Sequence, residues 1–198
     1  LTRDTQLGLN FTGVSYYDGQ GFMVPKKLGV KSAKELNGAT VCVQPGTTTE
    51  LNLADYFRAN SMQFKPVVIE NIQEVNAAFF SGRCDVYTTD ASGLASIRKN
   101  DAPKGQSDNY EILPEIISKE PLGPVVRHGD DQWFDIVKWT LNALIEAEEY
   151  GITAENADKM AAESKNPGVQ RLLGVTPGNG KAIGLDEKWA LNAIKAVG

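Results

Sequence analysis

The sequence predicts an α/β fold with a mainly parallel sheet flanked by helices, followed by a largely helical C-terminal third. Three observations carry that expectation. Short β-branched runs alternate with helix-length amphipathic segments over residues 39–113. Each run is bounded by Gly, Pro or polar turn residues, as strands of a buried sheet are. From Asp130 onward the apolar spacing is helical. Strands separated by helices of this length imply right-handed crossovers and parallel pairing.

Taken in order, residues 39–44 read as a buried strand between Gly38 and Pro45-Gly46. Residues 47–60 follow as a helix with Leu51, Leu53, Ala54 and Phe57 near helical spacing. Residues 64–70 form a second strand around Val67-Val68-Ile69. Residues 72–81 form a second helix, with Ile72, Val75, Ala78 and Phe79 on one face. Residues 84–88, 91–99 and 110–113 add a strand, a helix and a strand. Residues 130–150 predict one long helix carrying Trp133, Phe134, Val137, Leu141, Leu144 and Ile145 on a stripe. It opens on acidic residues and stops at Gly151, as the helix dipole and C-terminal geometry favour. Residues 153–164 and 186–197 predict further helices, with a loop at residues 176–180 between them. Residues 26–29 and 122–129 flank the α/β middle and are expected to connect it to the rest.

Composition narrows the function. The chain has 198 residues, 41% of them hydrophobic and 23% charged, ordinary values for a globular protein with a real core. A net charge of −5 argues against nucleic acid as a partner, because phosphates call for a basic surface. No apolar run nears the roughly 18 residues of a transmembrane helix, so no membrane-spanning segment is expected. The opening Leu1-Thr2-Arg3-Asp4 lacks both Met and a signal-peptide pattern, and the expectation is a fragment of a longer chain. Cys42 and Cys84 leave two readings open. They are two buried thiols acting as small hydrophobes, or one disulfide, which needs an oxidising compartment.

Two places carry candidate binding chemistry. Gln44-Pro45-Gly46-Thr47-Thr48-Thr49-Glu50 joins a strand to a helix, and Thr47 with Glu50 matches a capping box. Thr48 and Thr49 then sit in the first turn, where backbone N–H groups lack helical partners and the dipole adds positive charge. That is a ready anion site, to which the Thr47 and Thr48 hydroxyls add donors. A plain capping box explains the same residues. Asp90 ends the third strand and precedes a helix, so it reads either as an N-cap or as an acceptor at the carboxyl edge of the sheet. In open α/β sheets ligands bind at that edge, where strand order reverses. If residues 39–44 are central, the turn and Asp90 face one crevice and offer donors beside an acceptor, which suits a zwitterion. Arg3 adds a bidentate grip on a carboxylate, or is a plain surface arginine.

Catalytic signals are sparse. His128 is the only histidine, and a general base needs a positioned partner. No nucleophile elbow and no Cys/His zinc spacing occurs. Gly178-Asn179-Gly180 has the wrong spacing for a dinucleotide turn, and Glu146-Ala147-Glu148-Glu149 reads as a solvated helix face.

Thr2-Arg3, Leu9-Asn10-Phe11-Thr12, Tyr16-Tyr17, Gly46-Thr47-Thr48, Asp85-Val86 and Asp90, in this order and spacing, resemble the polar and general L-amino-acid-binding proteins of bacterial ABC importers (solute-binding protein family 3). The resemblance implies a periplasmic-binding-protein fold in which two α/β lobes close on an amino acid. Residues 1–24 would be a remnant of the first lobe and hinge. Residues 25–122 would be the second lobe, and 123–198 the hinge return with C-terminal helices of the first. It implies that Arg3 and Thr48 hold the ligand's α-carboxylate, that Asp90 holds its α-ammonium, and that Gln44 faces its side chain, with Thr47 a further candidate. The family carries most of the first lobe before that arginine, so the chain is expected to be a fragment lacking it. The implied protein is periplasmic, takes no cofactor or metal, is not an enzyme, and hands L-amino acids to a membrane permease. Two alternatives of the same fold are a dehydratase of the cyclohexadienyl type, which needs a proton donor or acceptor in the cleft beyond Asp90, and the ligand-binding domain of a sensor.

Overall fold

A computed structural model describes residues 8–198. Arg3 lies outside the described residues. The chain forms two compact units. Tyr17–Pro121 makes one, and Leu122–Gly198 with the described residues up to Tyr16 makes the other.

The first unit is built on a five-stranded sheet of β3 (Gln20–Pro25), β4 (Thr40–Val43), β5 (Lys65–Val68), β6 (Val86–Asp90) and β7 (Tyr110–Ile112). Their order is β5-β4-β6-β3-β7. Strand β4 lies parallel to both β5 and β6, and β3 runs antiparallel to β6 and β7. The sheet is therefore mixed, with β3 alone reversed. Helices α1 (Thr48–Ala59), α2 (Ile72–Phe80) and α3 (Ala91–Asn100) make the connections.

Side chains alternate across the pleat, and that alternation builds two cores. Phe22, Val24, Val41, Val43 and Val86 are buried on one face with Leu53 and Phe57 of α1. Met23, Cys42 and Tyr87 are buried on the other with Val75 and Phe79 of α2 and Leu94 and Ile97 of α3. Each such side chain contributes roughly 1.5–3 kcal/mol relative to exposure. Cys42 and Cys84 form a disulfide, with Cα atoms 5.6 Å apart. It joins β4 to the residues entering β6, inside the second core. The Asp85 carboxylate reinforces that join, accepting from the Thr40 N–H at 2.8 Å and the Thr40 hydroxyl at 2.5 Å.

The expected boundary of this unit needs correction. Strand β3 lies between β6 and β7, so residues 20–24 are sheet and not a segment preceding the lobe at Pro25. Met23 and Val24 are wholly buried. Gly19 and Gly21 break up the apolar run and hide the strand, and the strand is paired through distant segments rather than through a neighbouring helix. Residues 26–29 are no connection to the other unit either, since a 3₁₀ turn at Lys26–Leu28 follows β3 within the same unit. The chain passes between units at β2 (Tyr16–Asp18) and β8 (Glu120–Leu122), which pair with each other.

In the second unit, β1 (Leu9–Phe11) pairs antiparallel with β9 (Val125–Arg127). Helices α4 (Asp131–Glu149), α5 (Ala157–Glu163), α6 (Pro167–Leu172), α7 (Asn179–Ala182) and α8 (Trp189–Val197) follow. Ala143, Ala147, Val169, Leu172, Leu191 and Ile194 form their common core. Helix α4 begins as the acidic pattern predicts, with the Asp130 carboxylate accepting from the Trp133 N–H at 2.8 Å. Two predicted helices are shorter than expected because side chains claim their first N–H groups. Asn156 accepts from Thr153 N–H at 2.8 Å, and Asp186 accepts from Lys188 N–H at 2.8 Å. Helix α7 begins inside the segment expected to be a loop. Its N–H groups at Gly178, Gly180 and Lys181 donate to the Glu187 carboxylate at 2.9, 3.1 and 3.3 Å.

Candidate functional site

Strand β4 has β5 on one side and β6 on the other, so strand order reverses at β4. The register Val41↔Val86 and Cys42↔Tyr87 in parallel pairing brings the carboxyl ends of β4 and β6 to the same edge. The Gly46 turn follows one end, and Asp90 closes the other.

The turn is held from within. Gly46 adopts a left-handed backbone with φ 68°, which only Gly takes without strain. Its N–H donates to Glu50 Oε2 at 2.8 Å. A capping box normally sends that carboxylate to the N-cap N–H; here it reaches one residue earlier. Thr47 is the N-cap: its hydroxyl accepts from Glu50 N–H at 3.2 Å and donates to Gln44 O at 2.9 Å. Both capacities of that hydroxyl are spent, so Thr47 shapes the turn. Thr48 differs. It is exposed and its hydroxyl has no partner among the described residues, and neither do the N–H groups of Thr48 and Thr49. The Gln44 side chain, half-buried, donates to Glu70 O at 2.9 Å, which anchors it across the ends of β4 and β5 and leaves its amide oxygen without a partner among the described residues.

Asp90 stands at the N-cap position of α3, yet its side chain makes no cap hydrogen bond. Asp18 of β2 does that work instead. Its Oδ1 accepts from Ser92 N–H at 3.4 Å and Gly19 N–H at 2.8 Å, and Oδ2 bonds the Ser92 hydroxyl. Although burial pushes the Asp18 carboxyl up, these hydrogen bonds hold it below the ordinary value. Asp90 is half-buried, and burial, then the charges of Asp18 and Glu120, push its carboxyl up. A partly desolvated carboxylate with no hydrogen-bond partner among the described residues, beside two like charges, is poised to accept a cation. Among the described residues no group of three His, Cys, Asp or Glu is spaced to hold a metal ion.

Four further residues, linked to Asp90 through Gln20 and Glu120, were not expected from the sequence. Gln20 faces Asp90 across the antiparallel β3–β6 pair. It is wholly buried, and its Nε2 donates to Thr49 O and Thr88 Oγ1, both at 3.0 Å. Ser118 Oγ accepts from Gln20 N–H at 3.2 Å and donates to Glu120 Oε1 at 2.7 Å. Asn52, one turn into α1, donates to the same oxygen at 3.4 Å. These contacts span four separate elements, and no local sequence pattern announces them.

His128 is a structural residue. Its Nε2 lies 2.9 Å from Leu9 O, and its N–H donates to Gly8 O. A cavity of about 490 Å³ does occur elsewhere, in the helical unit, lined in part by Trp139, Glu146, Arg171 and Trp189. It borders none of the residues at the sheet edge.

An α/β unit with an unfilled helix N-terminus and a free carboxylate at its switch point has the architecture of a small-molecule-binding lobe. Comparison with known proteins defines the class further. A family described as NMT1/THI5 like matches residues 16–111. The chain is 62% identical over its whole length to the general L-amino acid-binding periplasmic protein AapJ of Rhizobium johnstonii, covering 58% of it. It is 59% identical, again over its whole length, to the glutamate/glutamine/aspartate/asparagine-binding protein BztA of Rhodobacter capsulatus, also covering 58%. A solved ABC transporter periplasmic binding protein from Brucella ovis, with glutathione bound, superposes with a TM-score of 0.93 at 55% identity. The match covers 99% of this chain and 61% of that one. The chain has the periplasmic-binding-protein fold, and over its whole length it is similar to proteins named for amino-acid binding in the periplasm. It spans somewhat over half the length of the curated relatives it matches. Those relatives are named as binding proteins, and no helix among the described residues is long and apolar enough to cross a membrane.

Proposed function

We propose that the protein binds free L-amino acids in the periplasm and delivers them to the membrane permease of an ABC importer, without turning them over. One observation carries this reading. Asp18 caps α3, so Asp90, which occupies the capping position, is left at the sheet edge without a partner among the described residues. In this reading its carboxylate accepts the α-ammonium. The N–H groups and hydroxyl at Thr48 receive the α-carboxylate, together with Arg3. Gln44, through its amide oxygen, meets the ligand side chain. Thr47 acts through the turn rather than by contact. Domain roles follow the same reading, with Tyr17–Pro121 as the gripping lobe and the remaining described residues belonging to the first lobe and its connection.

Support comes from three sides. The relatives are named for amino-acid binding. Glutathione, bound in the Brucella protein, ends in a γ-glutamyl group bearing the same α-carboxylate and α-ammonium pair. The disulfide suits an oxidising compartment. A dehydratase needs a proton donor or acceptor beyond Asp90, and the sole histidine is engaged with Leu9 in the other unit. Titration calorimetry of the intact protein against a panel of L-amino acids and glutathione, with chromatography of the recovered ligand, tests the reading. Unaltered ligand at stoichiometric binding is expected. Chemically changed ligand would favour the dehydratase.

A further inference from the structure

The amino-group end of the site holds more acceptor capacity than Asp90 alone supplies. Glu120 is the first source. Asn52 and Ser118 both bond its Oε1, which fixes the carboxylate, and its Oε2 has no partner among the described residues. Its charge is felt at Asp90. Gln20 is the second. Its amide nitrogen is committed to Thr49 and Thr88, which fixes the amide plane, and its Oε1 is buried without a hydrogen-bond partner. A buried acceptor left empty costs about 1–3 kcal/mol, and most such atoms in folded proteins find a partner. Gln20 and Asp90 are directly opposed on antiparallel strands, so their side chains share one face of the sheet. Asp18 adds charge, and both its oxygens are already engaged with Ser92, Oδ1 with the Gly19 N–H as well.

A primary ammonium presents three N–H donors. We propose that Glu120 and the buried amide oxygen of Gln20 are further ligand-recognition residues, which with Asp90 give the α-ammonium three acceptors and select ligands whose amine is unsubstituted and charged. This rests on the amino-acid reading and deepens it. Among the described residues, the charges felt at Asp90 are Asp18 from β2 and Glu120 from β8, both acidic, and neutral Gln20 of β3 stands opposite it. The local field thus favours a cation, and each acceptor lost through N-substitution of the ligand leaves a desolvated oxygen unpaired.

The test compares L-glutamate with N-methyl-L-glutamate by titration calorimetry on the intact protein, in wild type and in Glu120→Gln. Wild type should prefer the primary amine by tenfold or more. Glu120→Gln should weaken L-glutamate binding by tenfold or more and shrink that preference. With no ligand, its thermal midpoint should rise, because one of three neighbouring negative charges is gone. Should the variant fold poorly, the wild-type preference alone decides. Equal affinity of wild type for the two ligands overturns the proposal, as does an unchanged preference in Glu120→Gln. Loss of L-glutamate binding in Asp90→Ala alongside either result leaves the amino-acid reading standing and removes only the role of Glu120 and Gln20. A wild type that binds no L-amino acid overturns both.

Discussion

Asp90 and Asp130 occupy the same position in two different regions and do different work. Each is the residue before a helix. In the helical unit the Asp130 carboxylate caps α4 through Trp133 N–H, as its sequence context predicts. In the α/β unit Asp90 leaves α3 to be capped by Asp18, a residue 72 positions earlier (90 − 18). The helix N-termini repeat the contrast. The first N–H groups of α7 are filled by Glu187 of its own unit, whereas Thr48 and Thr49 of α1 keep theirs open. A carboxylate or a helix end whose local role is taken over by another residue is available for a ligand. One whose role is filled locally is structure.

The sharpest way to break this contrast is to truncate both aspartates. Asp90→Ala removes a charge-assisted contact worth on the order of 1.5–3 kcal/mol or more, so amino-acid affinity should drop at least tenfold in calorimetry. Asp130→Ala should leave affinity unchanged and lower unfolding stability by about 1 kcal/mol, as loss of an N-cap does. Replacing both Cys42 and Cys84 by Ala should cost about 2–4 kcal/mol of stability in denaturant titration, from the cross-link across 42 residues, with the site residues unaltered. Thr48→Val removes a neutral hydroxyl contact and should weaken binding by a few-fold, since such bonds are worth about 0.5–1.5 kcal/mol. Thr47→Ala should instead act on stability, by about 1 kcal/mol.

The smallest effect is a pH dependence whose sign separates Asp90 from Asp18. The Asp90 carboxyl is raised above 3.8 in the folded protein, so folding favours its protonated form. That contribution is complete below 3.8 and is lost as pH rises through the folded value. Asp90→Asn should therefore stabilise the unliganded protein at neutral pH, and the gain should vanish in acid. Asp18 is lowered, so its contribution is present above 3.8 and disappears as pH falls through the folded value. Asp18→Asn should destabilise at neutral pH and matter little in acid. Thermal melts across pH 3–7 compare the two.

How much of this was legible beforehand depended on range in the sequence. The alternation over residues 39–113 placed β4, α1, β5, α2, β6, α3 and β7 to within two residues at each end, because each element carries its own periodicity and stop signals. The Gly46 turn was equally local, down to Thr47 as its cap. Strand β3 was not legible: Gln20-Gly21 opens it with a polar residue and a glycine, and its partners are 64 or more positions away (Met23 to Tyr87, Val24 to Glu111). Helix α6 was missed because Pro167 reads as a breaker when it is in fact a first-turn residue capped by Asn166. At the site, Asp90 could be named as a candidate but not distinguished from an ordinary cap. That distinction needed Asp18, Gln20 and Glu120, which reach it only through the folded sheet.

The most direct measurement is calorimetric titration of L-glutamate into the intact protein and into its Asp90→Asn and Asp130→Asn variants, under one buffer and salt. Stoichiometric binding in wild type and in Asp130→Asn, with heat lost in Asp90→Asn, is the predicted result. Equal binding in all three would contradict the assignment of Asp90 as the carboxylate left free for the ligand.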